Sequence, residues 1–314
     1  MTPIIIDTDP GVDDAFAIIY AERHPNLHIV GLTTVFGNVS VTQSTDNAAY
    51  LREQLDASFD IARGAAMPWV KPHGGYPDFV HGEKGFGRFE ATIPSYETHA
   101  LSAANYIIEK SHEYAGELVL VPLGPLTNIA NALRLDPSLP ERIKRVVLMG
   151  GAARTPGNVS PVAEANIWGD PHAAHAVFAA PWQVVMIGLD VTHQVVMSDE
   201  MVDDICESLG PKAEFIKAMA SYYGAFYKAE RNVDGFCVHD PTTLVYLNHP
   251  EFFEVETGMV SVVAEGPCHG QTVFAQASNS YPDPYWSSRS NNHVCFEVNA
   301  DNVNSELIQH LKNF

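Results

Sequence analysis

The chain reads as an α/β protein built on a predominantly parallel, doubly wound (Rossmann-like) sheet with helices on both faces. Three observations predict it. Short, largely apolar runs (Ile4 to Ile6, His28 to Val35, Leu118 to Pro122, Arg145 to Met149, Val184 to Leu189) lack the polar alternation of strands with one wet face. They alternate with helical stretches, the rhythm of strands joined by crossovers. Acids and amides recur at the strand-to-helix turns, as a single site at the carboxyl edge of the sheet requires.

In order, Ile4 to Ile6 is a buried strand, Pro10-Gly11 a tight turn, and the run from Asp13 through Ile19 a helix with acids at its start. That turn carries Asp7, Asp9, Asp13 and Asp14 within eight residues. Like charges this close raise one another's pKa unless a cation or a partner intervenes, and several hard oxygens aimed at one point suit Ca²⁺ or Mg²⁺. Dipole complementation by Asp13 and Asp14, with an Asx-type turn at Asp7 and Asp9, is the plainer reading; it accounts for two acids better than for four. The second strand ends in Phe36-Gly37-Asn38, where Asn38 can bond a ligand hydroxyl or serve as a turn residue, before a helix from about Thr42 to Leu55.

Residues 61–97, rich in Gly, Pro and aromatics, read as a functional loop with His81 as a group titrating near neutral pH. The strand Leu118 to Pro122 leads through Leu123-Gly124-Pro125 into a helix opening at Leu126 to Ala130, leaving the Leu123 carbonyl at the strand end. After Arg145 to Met149 comes a polar loop over 157–166, with Asn158, Glu164 and Asn166 spaced too irregularly to line a helix face, then a helix from about Asp170. Pro211 to Arg231 is helical and carries Tyr223, Tyr227 and Arg231 at i, i+4 and i+8, a stripe for substrate or for packing. His239-Asp240 precedes Pro241, a residue tolerated in a first helical turn, and a helix to Leu247. Residues 259–264 and 272–276 form a hairpin, 279–293 an irregular polar loop bearing Trp286, and Ser305 to Leu311 a last helix.

Length and composition suggest one domain over residues 1–314. With 38 acidic and 18 basic residues the formal charge is −20, which argues against a nucleic-acid backbone or an anionic membrane surface as partner. A neutral substrate or a cation fits better. No apolar run reaches a membrane span and the N-terminus lacks a signal-peptide pattern, so a cytoplasmic location is expected. Cys206, Cys237, Cys268 and Cys295 are widely spaced and read as reduced thiols.

Asp-Thr-Asp-Pro-Gly-Val-Asp-Asp at 7–14, Thr-Thr-Val-Phe-Gly-Asn at 33–38, Leu-Gly-Pro-Leu-Thr-Asn at 123–128, Gly-Asn-Val-Ser-Pro-Val-Ala-Glu-Ala-Asn-Ile-Trp at 157–168 and His-Asp-Pro at 239–241 together resemble the calcium-dependent nucleoside hydrolases. The motifs run in family order over essentially the whole chain. The resemblance implies a Ca²⁺ site with carboxylate oxygens from Asp9, Asp14 and Asp240 and the carbonyl of Leu123, with Asp9 also deprotonating the attacking water. It further implies that Asp13, Asn38 and Asn166 hold ribose hydroxyls beside Asp240, that Asn158 and Glu164 lie toward the 5′-hydroxyl, and that Asp7 acts from behind. His239 is the implied proton donor to the leaving base, His81 a second candidate near it. The substrate would be a ribonucleoside met in salvage, cleaved through an oxocarbenium-like sugar, and the assembly a homodimer or homotetramer.

Two rivals remain at this stage. A haloacid-dehalogenase-type phosphohydrolase shares the Asp7-Thr8-Asp9 placement, but Gly11 stands where such enzymes carry a hydroxyl residue, and the acidity disfavours phosphate. A catalytically silent nucleoside- or sugar-binding protein is the other, since fold alone never excludes lost chemistry.

Overall fold

Ile4, Ile5 and Ile6 show how the sheet is dressed: Ile4 and Ile6 point into one apolar layer and Ile5 into the other, all fully buried, as the two-residue period of a strand dictates. In the computed structural model, which describes residues 1–287 and 292–314, they sit in β1 (Thr2–Thr8), third from one edge of a nine-stranded sheet. The other strands of that sheet are β2 (Leu27–Thr34), β3 (Asp60–Arg63), β4 (Val119–Pro122), β5 (Arg145–Met149), β6 (Val184–Ile187), β9 (Phe253–Val262), β10 (Thr272–Gln276) and β11 (Asn292–Val298). A separate two-stranded ribbon pairs β7 (Val196–Met197) with β8 (Phe236–Cys237).

The spatial order is β10-β9-β11-β6-β5-β4-β1-β2-β3. Pairing is parallel from β3 through β11 and antiparallel from β11 to β9 and from β9 to β10. The chain winds outward one way from β1 to β3 and the other way from β4 to β6, so the order reverses between β1 and β4, where a doubly wound sheet opens its crevice.

Helices α1 (Val12–Arg23), α2 (Val41–Gln54), α3 (Asp78–His81), α4 (Ala103–Glu113), α5 (Thr127–Leu135), α6 (Ala165–Gly169), α7 (Pro171–Ala179), α8 (Leu189–Thr192), α9 (Asp199–Cys206), α10 (Ala213–Arg231), α11 (His239–Asn248), α12 (Pro284–Ser287) and α13 (Ala300–Leu311) cover the two faces. Apolar residues of α1, α2, α9, α10, α11 and α13 join the layer of Ile4 and Ile6, and those of α4, α5 and α7 join that of Ile5. Helix α1 is buried on nearly every side from Val12 to Ala21, wedged between the sheet, α11 and α13.

The predicted strands are present, and the differences have local causes. Residues 61–97 are not all loop: the edge strand β3 occupies 60–63, too short to show a period, and α3 forms one turn at 78–81. Helix α11 begins at His239, two residues before the helix-starting proline suggested. The polar loop over 157–166 already turns helical at Ala165. The hairpin of 259–264 and 272–276 is β9 with β10, but β9 starts at Phe253. The expected loop over 279–293 gives way to a strand by Asn292, with residues 288–291 outside the described part. The last helix starts at Ala300, capped by Asn299, rather than at Ser305. Among the described residues no helix is long and apolar enough to cross a membrane.

Candidate active site

The site is assembled from the ends of β1 and β4 and the starts of α1 and α11. Asp9 follows β1, Asp13 and Asp14 open α1, and Asp240 sits in the first turn of α11, all buried. One carboxylate oxygen each from Asp13, Asp14 and Asp240 lies within 4.8 Å of the others. Asp14 is fixed by three donors: the Thr8 hydroxyl to Oδ1 at 2.5 Å, and Gly11 N–H and Asn38 Nδ2, each 3.0 Å from Oδ2. Asp9 Oδ2 accepts the backbone N–H of Asn38 at 2.5 Å.

Two glycines make room for Asp9. A Cβ on Gly37 would lie 1.9 Å from Oδ2, and one on Gly124 would lie 2.4 Å from Oδ1. Glycine is needed here for close approach, not for an unusual φ. Behind the cluster, Asp7 Oδ1 accepts the Thr33 hydroxyl at 2.5 Å and Asn128 Nδ2 at 2.8 Å, tying β1 to β2 and α5.

Burial is the largest influence on these acids. It pushes Asp13 up to about 8, with the charge on Asp14 adding to it, and Asp7 up to about 7. Asp9 is held well above the usual carboxylate range by burial and then by Asp14; Asp240 is held there by burial and then by Asp13 and Asp14. Asp9 Oδ1 and Asp13 Oδ1 find no hydrogen-bond donor among the described residues. Buried, clustered carboxylates with undonated oxygens are costly unless a cation sits among them, and an all-oxygen set suits a hard divalent ion. The residues present therefore fit such an ion, and Leu123, just past the end of β4, lines the same cleft.

Asp9, Asp13 and Asp240 line a cleft of about 670 Å³, which His81, Asn38, Asn158, Glu164, Asn166 and His239 also line, with Asp14 buried just behind. Asn166 Nδ2 donates to the Leu123 carbonyl at 2.7 Å. Glu164 caps α6, its carboxylate accepting the N–H groups of Asn166, Ile167 and Gly151, while Asn158 Oδ1 accepts Ala165 N–H at 3.0 Å. These two thus shape the 157–166 loop as well as lining the cleft.

His81 is buried 3.8 Å from Asp13, and its Nδ1 accepts the Val12 N–H at 3.3 Å. Burial pushes its pKa down to about 3, so it is a neutral imidazole. His239 is likewise held well below the ordinary imidazole range, by burial and then by His193 and Arg231. Both its nitrogens are engaged: Nε2 meets the Tyr227 hydroxyl at 2.5 Å and Nδ1 the Thr192 hydroxyl at 2.7 Å. The stripe on α10 thus faces the cleft. Tyr223 donates to Asp13 Oδ2 at 3.4 Å, Tyr227 meets His239, and Arg231 lies at the mouth against His193.

The sequence did not single out Thr8, Thr192 or Asn128 as positioning groups, nor Phe36, His73, Tyr76 and Phe79 as aromatic lining of the cleft. Asn128 carried a signal, being the end of the Leu-Gly-Pro-Leu-Thr-Asn motif. Thr192 carried none, since its contact with His239 spans 47 positions.

Comparison with known proteins agrees with this geometry. The family model described as inosine-uridine preferring nucleoside hydrolase matches residues 4–305. The chain is 38% identical over 302 residues to a probable uridine nucleosidase 1 of Oryza sativa subsp. japonica, covering 96% of this chain and 93% of that one. It is 40% identical over 277 residues to uridine nucleosidase 1 of Arabidopsis thaliana, covering 87% and 82%. Among solved structures, a plant nucleoside hydrolase superposes with a TM-score of 0.96 at 33% identity over 99% of both chains, and a purine-preferring ribonucleoside hydrolase from Gardnerella vaginalis with 0.92 at 30% over 99% and 98%. With the match extending over nearly the whole chain, the protein belongs to the inosine–uridine preferring nucleoside hydrolase family and is an enzyme that cleaves the N-glycosidic bond of ribonucleosides.

Proposed function

We propose that this enzyme is a Ca²⁺-dependent hydrolase favouring uridine and inosine, with Asp9 as the base toward water and the Tyr227–His239 pair as the acid toward the leaving group. The observation that carries the reading is that one cleft is lined both by buried carboxylates with undonated oxygens, Asp9 and Asp13, and by Tyr227 and His239, whose hydroxyl–imidazole contact Thr192 extends from behind.

Asp9, Asp14, Asp240 and the Leu123 carbonyl would hold the ion, which when bound supplies Lewis acidity that lowers the pKa of a water and fixes vicinal hydroxyls. Asp9 Oδ1, which lacks a donor of its own, is suited to accept the proton of the attacking water. Asp13, Asn38 and Asn166 would grip the ribose hydroxyls, and Asn158 with Glu164 would bound the 5′ end. The carboxylate cluster favours the positive charge that develops on the sugar as the C–N bond breaks. No covalent enzyme intermediate is needed.

On the other face the base must leave with a proton. Both nitrogens of His239 are engaged, so we place the Tyr227 hydroxyl at the base with His239 behind it and Thr192 fixing the ring. Burial holds the Tyr227 hydroxyl well above its ordinary pKa and therefore protonated. His81, neutral and accepting at Nδ1, presents Nε2–H as a donor. The preference for uridine draws on the names of the plant relatives and of a pyrimidine-specific ribonucleoside hydrolase of Escherichia coli, 36% identical over 274 residues. We further propose a single catalytic domain, a cytoplasmic salvage role and a homodimeric or homotetrameric assembly.

The test is free ribose released from inosine, adenosine, uridine and cytidine by Ca²⁺-replete protein. Uridine and inosine should lead. Adenosine in the lead would overturn the preference, and silence on all four would move the assignment toward a nucleoside-binding protein.

A further inference from the structure

A second group of metal-ligating side chains lies at the other end of the helices that carry the acids. His24 caps the carboxyl end of α1, His249 caps that of α11, and Glu306 and His310 stand one turn apart on α13. With a rise of about 1.5 Å per residue, the ten or eleven residues from Asp13 and Asp14 to His24 along α1 put this group roughly 15–17 Å from those acids. It is distinct from the catalytic cleft.

We propose that His24, Glu306 and His310, with His249 at their open side, bind a tetrahedral divalent transition ion such as Zn²⁺. Ligand atoms of His24, Glu306 and His310 lie within 4.8 Å of one another. Three imidazole Nε2 atoms surround the single oxygen Glu306 Oε1: His310 at 3.1 Å, His24 at 3.3 Å and His249 at 3.6 Å. In a tetrahedron with metal–ligand bonds of 2.0–2.1 Å the ligands stand about 3.3 Å apart, so the three separations from Glu306 Oε1 match the edges that would meet at that ligand, and His249 would close in to complete the shell.

Hydrogen bonding accounts for the convergence less well. The Tyr20 hydroxyl also donates to Glu306 Oε1, at 3.2 Å, so four polar atoms crowd an oxygen that offers about two lone-pair directions. His249 Nδ1 meets Glu251 Oε1 at 2.9 Å. If that contact is Nδ1–H donating, the Nε2 lone pair points toward Glu306, and the carboxylate orients a metal-binding imidazole as an outer partner does. Binding costs one contact: the Asn26 N–H that His24 Nδ1 accepts at 3.2 Å must turn away, because a metal-bound imidazole carries its proton on the other nitrogen. An ion here would pin the carboxyl ends of α1 and α11 to α13, and so brace the two helices whose first turns present Asp13, Asp14 and Asp240.

The experiment uses untagged full-length protein saturated with Ca²⁺ and titrated with Co²⁺ as the probe. One Co²⁺ should bind with the intense visible bands of tetrahedral N/O coordination, and one Zn²⁺ should displace it. Zn²⁺ at ~100 times its dissociation constant should raise Tm by about 5 °C. His24→Gln and His310→Gln should each weaken Zn²⁺ binding by ~100-fold or more, with circular dichroism and ribose release unchanged. Pale octahedral bands, no uptake by the wild-type protein, or full-strength tetrahedral bands in both folded variants would overturn the proposal. The wild-type spectrum decides it even if a variant does not fold.

Discussion

Gly37→Ala tests whether the position of Asp9, and not merely its presence, sets the rate. The added Cβ would lie 1.9 Å from Asp9 Oδ2, 2.8 Å from its Cγ and 3.0 Å from Pro125 Cδ. Ordinary contact begins at 3.4 Å, so the carboxylate must retreat by about 1.5 Å. The Gly124 backbone stands on its other side, where even a Cβ would come within 2.4 Å of Oδ1. Retreat also gives up the charge-assisted bond from Asn38 N–H, worth ~1.5–3 kcal/mol.

A displacement near 1 Å costs on the order of 100-fold in rate, so ribose release from uridine should fall by about that factor or more. Stability should fall by ~1–3 kcal/mol, the usual cost of overpacking. The assay is kcat/KM for ribose release, with Tm and circular dichroism confirming the fold. Gly224→Ala is the control: in α10 its Cβ would meet only the Gly235 carbonyl, at 3.8 Å, so turnover should be unchanged. A folded Gly37→Ala enzyme within threefold of wild type would refute the argument that Asp9 must stand where the structure has it.

Other expectations follow from the same contacts. Asp9→Ala should lower turnover by several orders of magnitude while Tm in Ca²⁺ stays within a few degrees of wild type; near-normal turnover in the metal-replete variant would remove Asp9 from the base role. His239→Ala and Tyr227→Phe should slow uridine and inosine strongly but spare a substrate with an activated leaving group, and equal losses on both would count against a proton-donating chain. The chelated protein should lose stability as pH rises from 5 to 8.5. Asp13 is raised from 3.8 to about 8 in the fold, so its contribution is full below its unfolded value and is lost as pH climbs through its folded one. Added Ca²⁺ should therefore raise Tm little at pH 5 and most at pH 8, and a gain independent of pH would contradict a carboxylate ion site.

The sheet was legible because its central strands are apolar throughout and their turns carry glycine, proline and amides. What escaped was short or set by distant contacts. The four residues of β3 are too few to show a period, and α4 and α9 drew no assignment although Ser102 and Ser198 sit at their N-caps. The four acids of residues 7–14 announced themselves by density. The arrangement of His239 did not, because Tyr227 and Thr192 reach it from α10 and α8, and sequence spacing has no view of a hydrogen bond across elements. Glu164 shows the converse: its motif points to substrate, whereas the fold also gives it three backbone N–H groups to cap.

The most direct test of the central claim is ribose release from uridine before chelation, after it, and after Ca²⁺ is restored. Activity lost to the chelator and recovered with Ca²⁺ is the predicted result. Undiminished release from protein shown to be free of divalent ions would contradict the account, because the buried carboxylates would then be working without the cation their geometry fits.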